Sequence, residues 1–277
     1  MSLIVSLRVP DGLVIAADSL ATGHQGIDIS FKGMTLSCPK CHTIIPGDKL
    51  KMPHTSFNIP FSASSYTQKL ISIDDKYALS FFGLGVLSNK SIYYHIQLLQ
   101  KTGKLKDKTL SETADIIIEY FMMELEKNFQ DYKTNAPKDW APIGFHLDGF
   151  EDNPDGTDLQ EGVTYELHLG KNSEKIRHAD IGCTGSGEND IMRKFFQMGE
   201  NSRDKIRYPL LSLQDAIDLS TFLIDTTSKF QRFGRTIQTV GGNIDVALIT
   251  PFHGFQWIRR QELMEKLENG KYKVTGA

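Results

Sequence analysis

The strands expected from this sequence come in pairs joined by short turns, and this pairing constrains the fold more than any other feature. Alternating or continuous apolar residues flank turns such as Pro10-Asp11-Gly12 and Asp74-Asp75. Such patterns predict β-hairpins. Three hairpins are expected, over residues 3–8 with 13–19, 69–73 with 77–82, and 244–250 with 255–258. Antiparallel sheets follow, because strands of a parallel sheet arrive singly between helices.

Helical segments separate these hairpins. Thr109 with Glu112 and Ser212 with Asp215 have the spacing of N-terminal caps. Helices are predicted over about 89–101, from Thr109 onward, over about 188–199, from Ser212 to about 233, and over about 259–268. Further strands are expected at 143–147 and 164–169, with an exposed loop over 148–162 and a glycine-rich turn over 182–187. This order predicts an α+β fold, a four-layer αββα sandwich.

Composition narrows the class of protein. The 277 residues are 40% apolar, enough for one domain with a large core. A net charge of −3 gives no basic surface for nucleic acid or a membrane. Three cysteines favour a reducing compartment, and no apolar run is long enough to cross a bilayer, so a cytoplasmic location is expected. Residues 23–65 lack periodicity and are interpreted as an inserted lobe within this single domain.

The N-terminus suggests a chemistry. A strand that begins beside residue 2 holds that residue in place, and loss of Met1 would give Ser2 a free amine beside its hydroxyl. A serine hydroxyl needs a base before it can attack a carbonyl. An α-amine, with an unperturbed pKa of about 7.7–8.0, can be that base near neutral pH.

Five segments, in order along the chain, resemble the β-type subunits of the proteasome and their bacterial relatives, which are N-terminal-nucleophile hydrolases. Each segment is weak evidence alone, but together they span most of the sequence. They are Asp11-Gly12-Leu-Val-Ile-Ala-Ala-Asp18, Gln68-Lys69-Leu-Ile-Ser-Ile-Asp74, Phe82-Gly83-Leu84, Gly185-Ser186-Gly187, and Gly241-Gly242-Asn-Ile-Asp245-Val-Ala-Leu-Ile-Thr250.

The resemblance implies roles for individual residues. In that family the nucleophile lies sixteen positions before the aspartate of the first segment, which places Ser2 there. Asp18 and Lys69 match the supporting ion pair, and Ser186 matches a serine that orients the amine. A backbone N–H at or just after Gly83 would stabilise the oxyanion. Thr22 would bind the substrate backbone, while Phe81 and Gly85 would lie near the wall of the specificity pocket.

The implied activity is that of a serine-type peptidase that needs no cofactor for catalysis, in a homo-oligomeric ring or spiral, with a peptide or unfolded protein as substrate. Two departures weaken this interpretation. Ile237 and Val240 stand where the family has an aspartate and a serine that assist the amine, and Leu20 replaces a basic residue. A catalytically inactive structural or regulatory subunit is therefore one alternative, and a hydrolase of small amides is another.

Cys38-Pro-Lys-Cys41 introduces a separate possibility within the lobe. Two cysteines at this spacing form half of a structural zinc site, which His54 or another histidine could extend. The alternatives are two unpaired surface thiols and a redox-active pair.

Overall fold

The computed structural model describes residues 2–30, 35–49, 54–152, 159–200, 205–234, 237–261, 263–266 and 272–275. The strands are β1 Leu3–Val9, β2 Gly12–Asp18, β3 Ala21–Ser30, β4 Thr35–Ser37, β5 Ile44–Pro46, β6 His54–Ser64, β7 Leu70–Ile73, β8 Tyr77–Gly83, β9 Val86–Leu87, β10 Lys90–Ser91, β11 Ile143–Asp152, β12 Gln160–Leu169, β13 Glu174–His178, β14 Gly182–Gly187, β15 Ile244–Thr250, β16 Gly254–Arg259, β17 Leu263–Lys266 and β18 Tyr272–Thr275. The α-helices are α1 Ile92–Lys101, α2 Leu110–Asn128, α3 Tyr132–Asn135, α4 Asp190–Glu200 and α5 Leu213–Arg232, and short 3₁₀ turns occupy Gly47–Lys49 and Tyr208–Leu210.

Two antiparallel five-stranded sheets organise the larger part of the chain. The first has the order β14-β1-β2-β15-β16, and the second has the order β13-β12-β11-β8-β7. All three predicted hairpins are confirmed, since β1 pairs with β2, β7 with β8, and β15 with β16. The fold is therefore of the α+β class.

Three apolar clusters show how helices and sheets share the core. One combines side chains of the second sheet with α1 and α2, for example Phe145 with Ile96 and Phe121. A second combines the first sheet with α4 and α5, for example Leu7 with Met192. The third holds residues of both sheets and of no helix: Ile4, Leu13, Ile15, Ala17, Leu70, Ala78, Ala247 and Ile249. The alternation of side chains along each strand explains this division.

Both predicted helix caps are confirmed. Thr109 and Glu112 form a reciprocal capping box at α2, and Ser212 and Asp215 form another at α5. These side chains satisfy N–H groups that have no partner inside a helix. The first predicted helix begins later than expected, at Ile92 with Ser91 as its cap.

Three other local predictions are wrong. The expected loop over 148–162 is strand in most of its described residues, since β11 runs to Asp152 and β12 starts at Gln160. The expected turn over 182–187 is the edge strand β14, which pairs with β1. The expected final helix is replaced by the pair β17–β18, and β13 was not foreseen. In each case cross-strand pairing overrides a local preference for turn or helix.

Contacts divide the chain into two compact units, one made of Met1–Ala21 with Ser64–Ala277 and the other of Thr22–Ala63. The second unit contains the pairs β3–β6 and β4–β5. Within the described residues, no helix has both the length and the apolar character to cross a bilayer.

Candidate functional site

Asp18 and Lys69 form a buried ion pair at the end of β2. Lys69 Nζ lies 2.8 Å from Asp18 Oδ1 and also donates to the Leu20 carbonyl at 2.6 Å. Lys69 is only 2% exposed. Burial lowers the pKa of Lys69, while the charge and the hydrogen bond of Asp18 act against that change. A buried cation of this kind needs a paired carboxylate.

Asp18 also holds three backbone groups. Its Oδ1 accepts from the N–H of Leu3 at 3.0 Å, and its Oδ2 accepts from the N–H groups of Leu20 at 3.2 Å and Gly241 at 3.0 Å. With Lys69, the carboxylate therefore has four donors from separate parts of the chain. The structure thus brings together Asp18, Lys69 and the residue that follows Ser2.

Ser2 is fixed through its backbone. Its carbonyl accepts from the Glu188 N–H at 2.7 Å, and the neighbouring Leu3 pairs with Gly187 in β14. Gly187 has a φ of +90°, and a Cβ there would lie 1.9 Å from the Ser2 carbonyl oxygen, so only glycine fits. Ser2 itself is 3% exposed. Met1 lies outside the described residues.

Ser186 has different partners from those the resemblance implied. Its hydroxyl lies 2.8 Å from His146 Nε2 and donates to Glu166. It sits opposite Ile4 in the ladder between β1 and β14. The structure therefore places Ser186 in a second polar cluster rather than in the set around Asp18.

That cluster, the inter-sheet network, was missed from the sequence. It consists of hydrogen-bonded side chains contributed by both large sheets: Ser6, Arg8, His146, Asp148, Thr164, Glu166, Thr184 and Ser186. A signal was available, because these residues alternate along their strands: 6 and 8, 146 and 148, 164 and 166, 184 and 186. A period of two puts them on one face of each sheet.

A continuous chain of contacts runs through this network. Ser6 Oγ lies 3.0 Å from both Asp148 Oδ2 and His146 Nδ1, and Ser186 links His146 to Glu166. These four contacts need four hydrogens, but two hydroxyls and a neutral imidazole supply only three. One additional proton must therefore lie within the chain when all four contacts are hydrogen bonds.

The titration directions make Asp148 the carboxyl group that takes up that proton at mildly acidic pH. Burial raises the pKa of Asp148 from 3.8 to about 6, against the lowering effect of hydrogen bonds from Thr164 and Ser6. Burial also lowers the pKa of His146 to about 3, which keeps the imidazole neutral. Below about pH 6, where Asp148 is protonated, each group can donate to the next from Asp148 through Ser6, His146 and Ser186 to Glu166. Above that pH the Ser6 hydroxyl donates to Asp148 Oδ2 instead.

Glu166 is the ionised end of this chain. His168 Nε2 and His178 Nε2 donate to it at 3.0 and 3.1 Å. Burial alone would raise the pKa of Glu166, but hydrogen bonds from His168, Ser186 and His178 produce a net lowering. The hydrogen bond to Glu166 raises the pKa of His168. The pKa values of the two carboxyl groups of the network are thus shifted in opposite directions, and below about pH 6 only Glu166 is ionised.

The residues predicted to bind substrate have different surroundings. Phe81 is 2% exposed, and its ring lies 6.5 Å from that of Phe145 in the core. Gly83 has a φ of +88°, and the N–H of Leu84, one of the two proposed oxyanion donors, bonds to the Pro142 carbonyl at 2.9 Å. Gly85 is exposed, with open space where a Cβ would be. Thr22 is half-buried at the start of the second unit.

The substituted positions near Gly241 have structural partners. Val240 is fully buried among side chains of α5, and Ile237 is 39% exposed. The Gln231 side chain accepts from the N–H groups of Thr239 and Val240, each at 2.9 Å. This loop therefore presents the Gly241 N–H to Asp18 without the aspartate and serine that the resemblance implied at these positions.

Clefts lie elsewhere in the larger unit. One of about 580 Å³ is lined by residues that include Tyr77, Glu151 and Thr250. Another, of about 650 Å³, is lined by residues that include Tyr93, Trp257 and Arg260.

The cysteines of the smaller unit are free. Cys41 is exposed, and hydrogen bonds from Thr43 and Cys38 lower the pKa of its thiol to about 7. Among the side chains that the structure describes, no three His, Cys, Asp or Glu residues form a metal-binding group. The His54 side chain lies outside the described part of the structure, so the predicted set of Cys38, Cys41 and His54 stays a prediction.

No family model matches this chain, and no curated protein matches it.

Proposed function

We propose that the chain is a serine-type N-terminal-nucleophile hydrolase of the proteasome-like family, with Ser2 as nucleophile. The proposal includes the four-layer αββα sandwich. It is supported by the three apolar clusters, since one holds residues of both sheets and each of the others combines one sheet with two helices. The five sequence segments support the family assignment.

The observation that carries the proposal is the buried Lys69–Asp18 pair beside Ser2. Asp18 holds the Leu3 N–H at 3.0 Å and Lys69 at 2.8 Å, so the cation is fixed near the residue that would become the N-terminus. Burying such an ion pair costs desolvation free energy, and apolar residues of similar volume in its place would often give a fold of equal stability. A cation in this place has a chemical use, because it favours the deprotonated forms of the nearby nucleophile and amine.

The reaction would proceed in two halves. Once any residue before Ser2 is removed, the Ser2 hydroxyl attacks a peptide carbonyl and gives its proton to the α-amine of Ser2. The amine then protonates the leaving nitrogen, which leaves an ester on Ser2. Water attacks this ester by the same route and regenerates the hydroxyl. A peptide or unfolded protein as substrate, a homo-oligomer and a cytoplasmic location belong to the same proposal.

One set of observations favours a second candidate, a catalytically inactive subunit of the same fold. Ser2 is 3% exposed, the Ser186 hydroxyl is engaged by His146 and Glu166, and Val240 is buried in the core. An ion pair that serves only to stabilise the fold would fit this candidate equally well.

Peptide hydrolysis by the purified, untagged chain separates the two candidates. Hydrolysis of fluorogenic peptides should fall at least about 1,000-fold in Ser2→Ala, because the nucleophile is lost. Ser2→Thr, which keeps a hydroxyl and an amine on one residue, should stay within about tenfold of the parent. Equal rates for the parent and Ser2→Ala would contradict the proposal, and so would the absence of hydrolysis in a chain whose N-terminus is Ser2.

A further inference from the structure

The turn of a small hairpin in the second unit presents two thiols. Strands β4 and β5 pair through Leu36 and Ile45, and Cys38 and Cys41 lie in the connection between them. The Cys38 N–H donates to the Thr43 carbonyl at 3.0 Å, and the His42 N–H donates to the Cys38 carbonyl at 2.9 Å. His42 has a φ of +56°. The turn is therefore tightly closed, with both cysteines on it.

This arrangement is typical of a metal-binding knuckle. Two cysteines separated by two residues on a hairpin turn can direct both sulfur atoms toward one ion. Both thiols are free, Cys38 is half-buried and Cys41 is exposed. A Cys41 hydrogen bond to the Thr43 hydroxyl at 3.1 Å fixes one side of the turn.

The order of the strands favours His54 as a third ligand. A Cβ on Gly23 would lie 2.6 Å from the Phe61 ring, so the beginning of β3 lies beside the end of β6. Because the start of β3 lies beside the end of β6, His54, the first residue of β6, lies at the end of that strand away from Gly23. The cysteine hairpin lies in the segment between β3 and β6, whereas His24 directly follows Gly23.

We propose that Cys38, Cys41 and His54 bind one Zn²⁺ ion within the unit Thr22–Ala63. Two thiolates and an imidazole are ligands that zinc prefers, and its fourth position is open to water. The unit has about forty residues, a size at which a metal commonly replaces a missing core. Exposure of Ile44 at 66% and Ile45 at 40% agrees with a unit that is held by something other than apolar burial.

Zinc content of the full chain tests this site directly. The chain is purified under reducing conditions, and zinc and protein are measured together for the parent and for Cys38→Ser, Cys41→Ser and His54→Ala. Cys183→Ser and His24→Ala are the matched controls, because Cys183 lies in β14 and His24 at the far end of the β3–β6 pair. Circular dichroism of each variant checks that the two large sheets persist.

The site predicts about one zinc per chain in the parent and in both controls. Less than about a tenth should remain in the two knuckle cysteine variants, and His54→Ala should bind zinc at least about tenfold more weakly. Cobalt replacing zinc should show a thiolate charge-transfer band that both cysteine variants lose. A zinc-free parent, or a Cys38–Cys41 disulfide under these conditions, would overturn the proposal. Half a zinc per chain, unchanged by His54→Ala, would also overturn it and would indicate four cysteines shared by two copies.

Discussion

Asp18 and Asp148 are both buried aspartates in large antiparallel sheets, yet their carboxyl groups have different sets of hydrogen-bond partners. Asp18 is 1% exposed and accepts from one lysine and three backbone N–H groups. Asp148 is fully buried, accepts from Thr164 at 2.5 Å, and faces a hydroxyl that is also needed by His146. The negative charge of Asp18 is therefore needed to pair with the Lys69 ammonium, whereas a proton on Asp148 would supply the hydrogen that the contacts of Ser6 with Asp148 and His146 lack.

This difference teaches that burial alone does not set the charge of a carboxyl group. The number of donors that converge on each oxygen, and the hydrogens available to satisfy them, decide the outcome. The same substitution, aspartate to asparagine, should therefore have opposite effects at the two positions.

Asp18→Asn should have the largest effect on stability. It leaves the Lys69 ammonium buried without a carboxylate, and breaking a buried pair in this way costs about 3–5 kcal/mol of unfolding free energy. Urea unfolding of the parent and the variant at neutral pH measures the loss. Asp225→Asn is the matched control, since the partner of Asp225 is Lys229 in an exposed pair on α5, and it should cost less than about 1 kcal/mol. Equal losses at both positions would contradict the comparison.

Asp148→Asn should instead stabilise the protein above neutral pH. The asparagine amide donates permanently to Ser6 where the protonated carboxyl would, so the variant should gain about 1–3 kcal/mol at pH 8. The folded-state pKa of Asp148, about 6, lies above its ordinary 3.8, so the folded parent binds the extra proton between these values. Parental stability from this group is thus lost as pH rises from about 4 to 6, by about 1.4 kcal/mol per unit.

The variant-minus-parent difference isolates this titration, because every other group is common to both proteins. That difference should increase from about pH 4 to about pH 6 and stay constant above it. A difference that does not change with pH, or a variant less stable than the parent at pH 8, would place the extra proton elsewhere.

Ser186→Ala should have a smaller effect, because it removes one hydroxyl from the inter-sheet network. His146 Nε2 and Glu166 each lose a partner in a buried place, which should cost about 1–2 kcal/mol. Ser80→Ala is the control, since the Ser80 hydroxyl is buried without a hydrogen-bond partner among the described residues, and its removal should be neutral or stabilising. Thermal unfolding of the two variants beside the parent measures both effects. If Ser80→Ala costs as much as Ser186→Ala, the network does not account for the loss.

The sequence predicted the elements whose signals are local. Hairpins around Asp11-Gly12 and Asp74-Asp75 and the capping boxes at Thr109 and Ser212 depend on a few neighbouring residues, and the structure contains all of them. Position 185 shows where local signals fail. Glycine predicts a turn there, but Gly185 lies in strand β14, packed against the flexible end of the Met192 side chain, with 2.1 Å between the position of an added Cβ and Met192 Cε.

The candidate site was predictable to a similar extent. The Lys69–Asp18 contact followed from a resemblance that spans most of the chain, and the structure places the two residues together. The partners of Ser186 could not be predicted in this way, because His146 and Glu166 are distant from it in sequence and lie on the other sheet. Alternating polar residues signalled that these strand faces were polar, but only the packing of the two sheets shows which groups meet.

The most direct test of the proposed function is the intact mass of the untagged chain before and after treatment with a peptide epoxyketone. This probe closes a ring with an amine and a hydroxyl on the same N-terminal residue. The proposal predicts a chain that begins at Ser2 and gains one adduct, which Ser2→Ala does not gain. A chain that keeps Met1, or one that begins at Ser2 and stays unmodified, would contradict Ser2 as the nucleophile and leave the buried Lys69–Asp18 pair with a structural role.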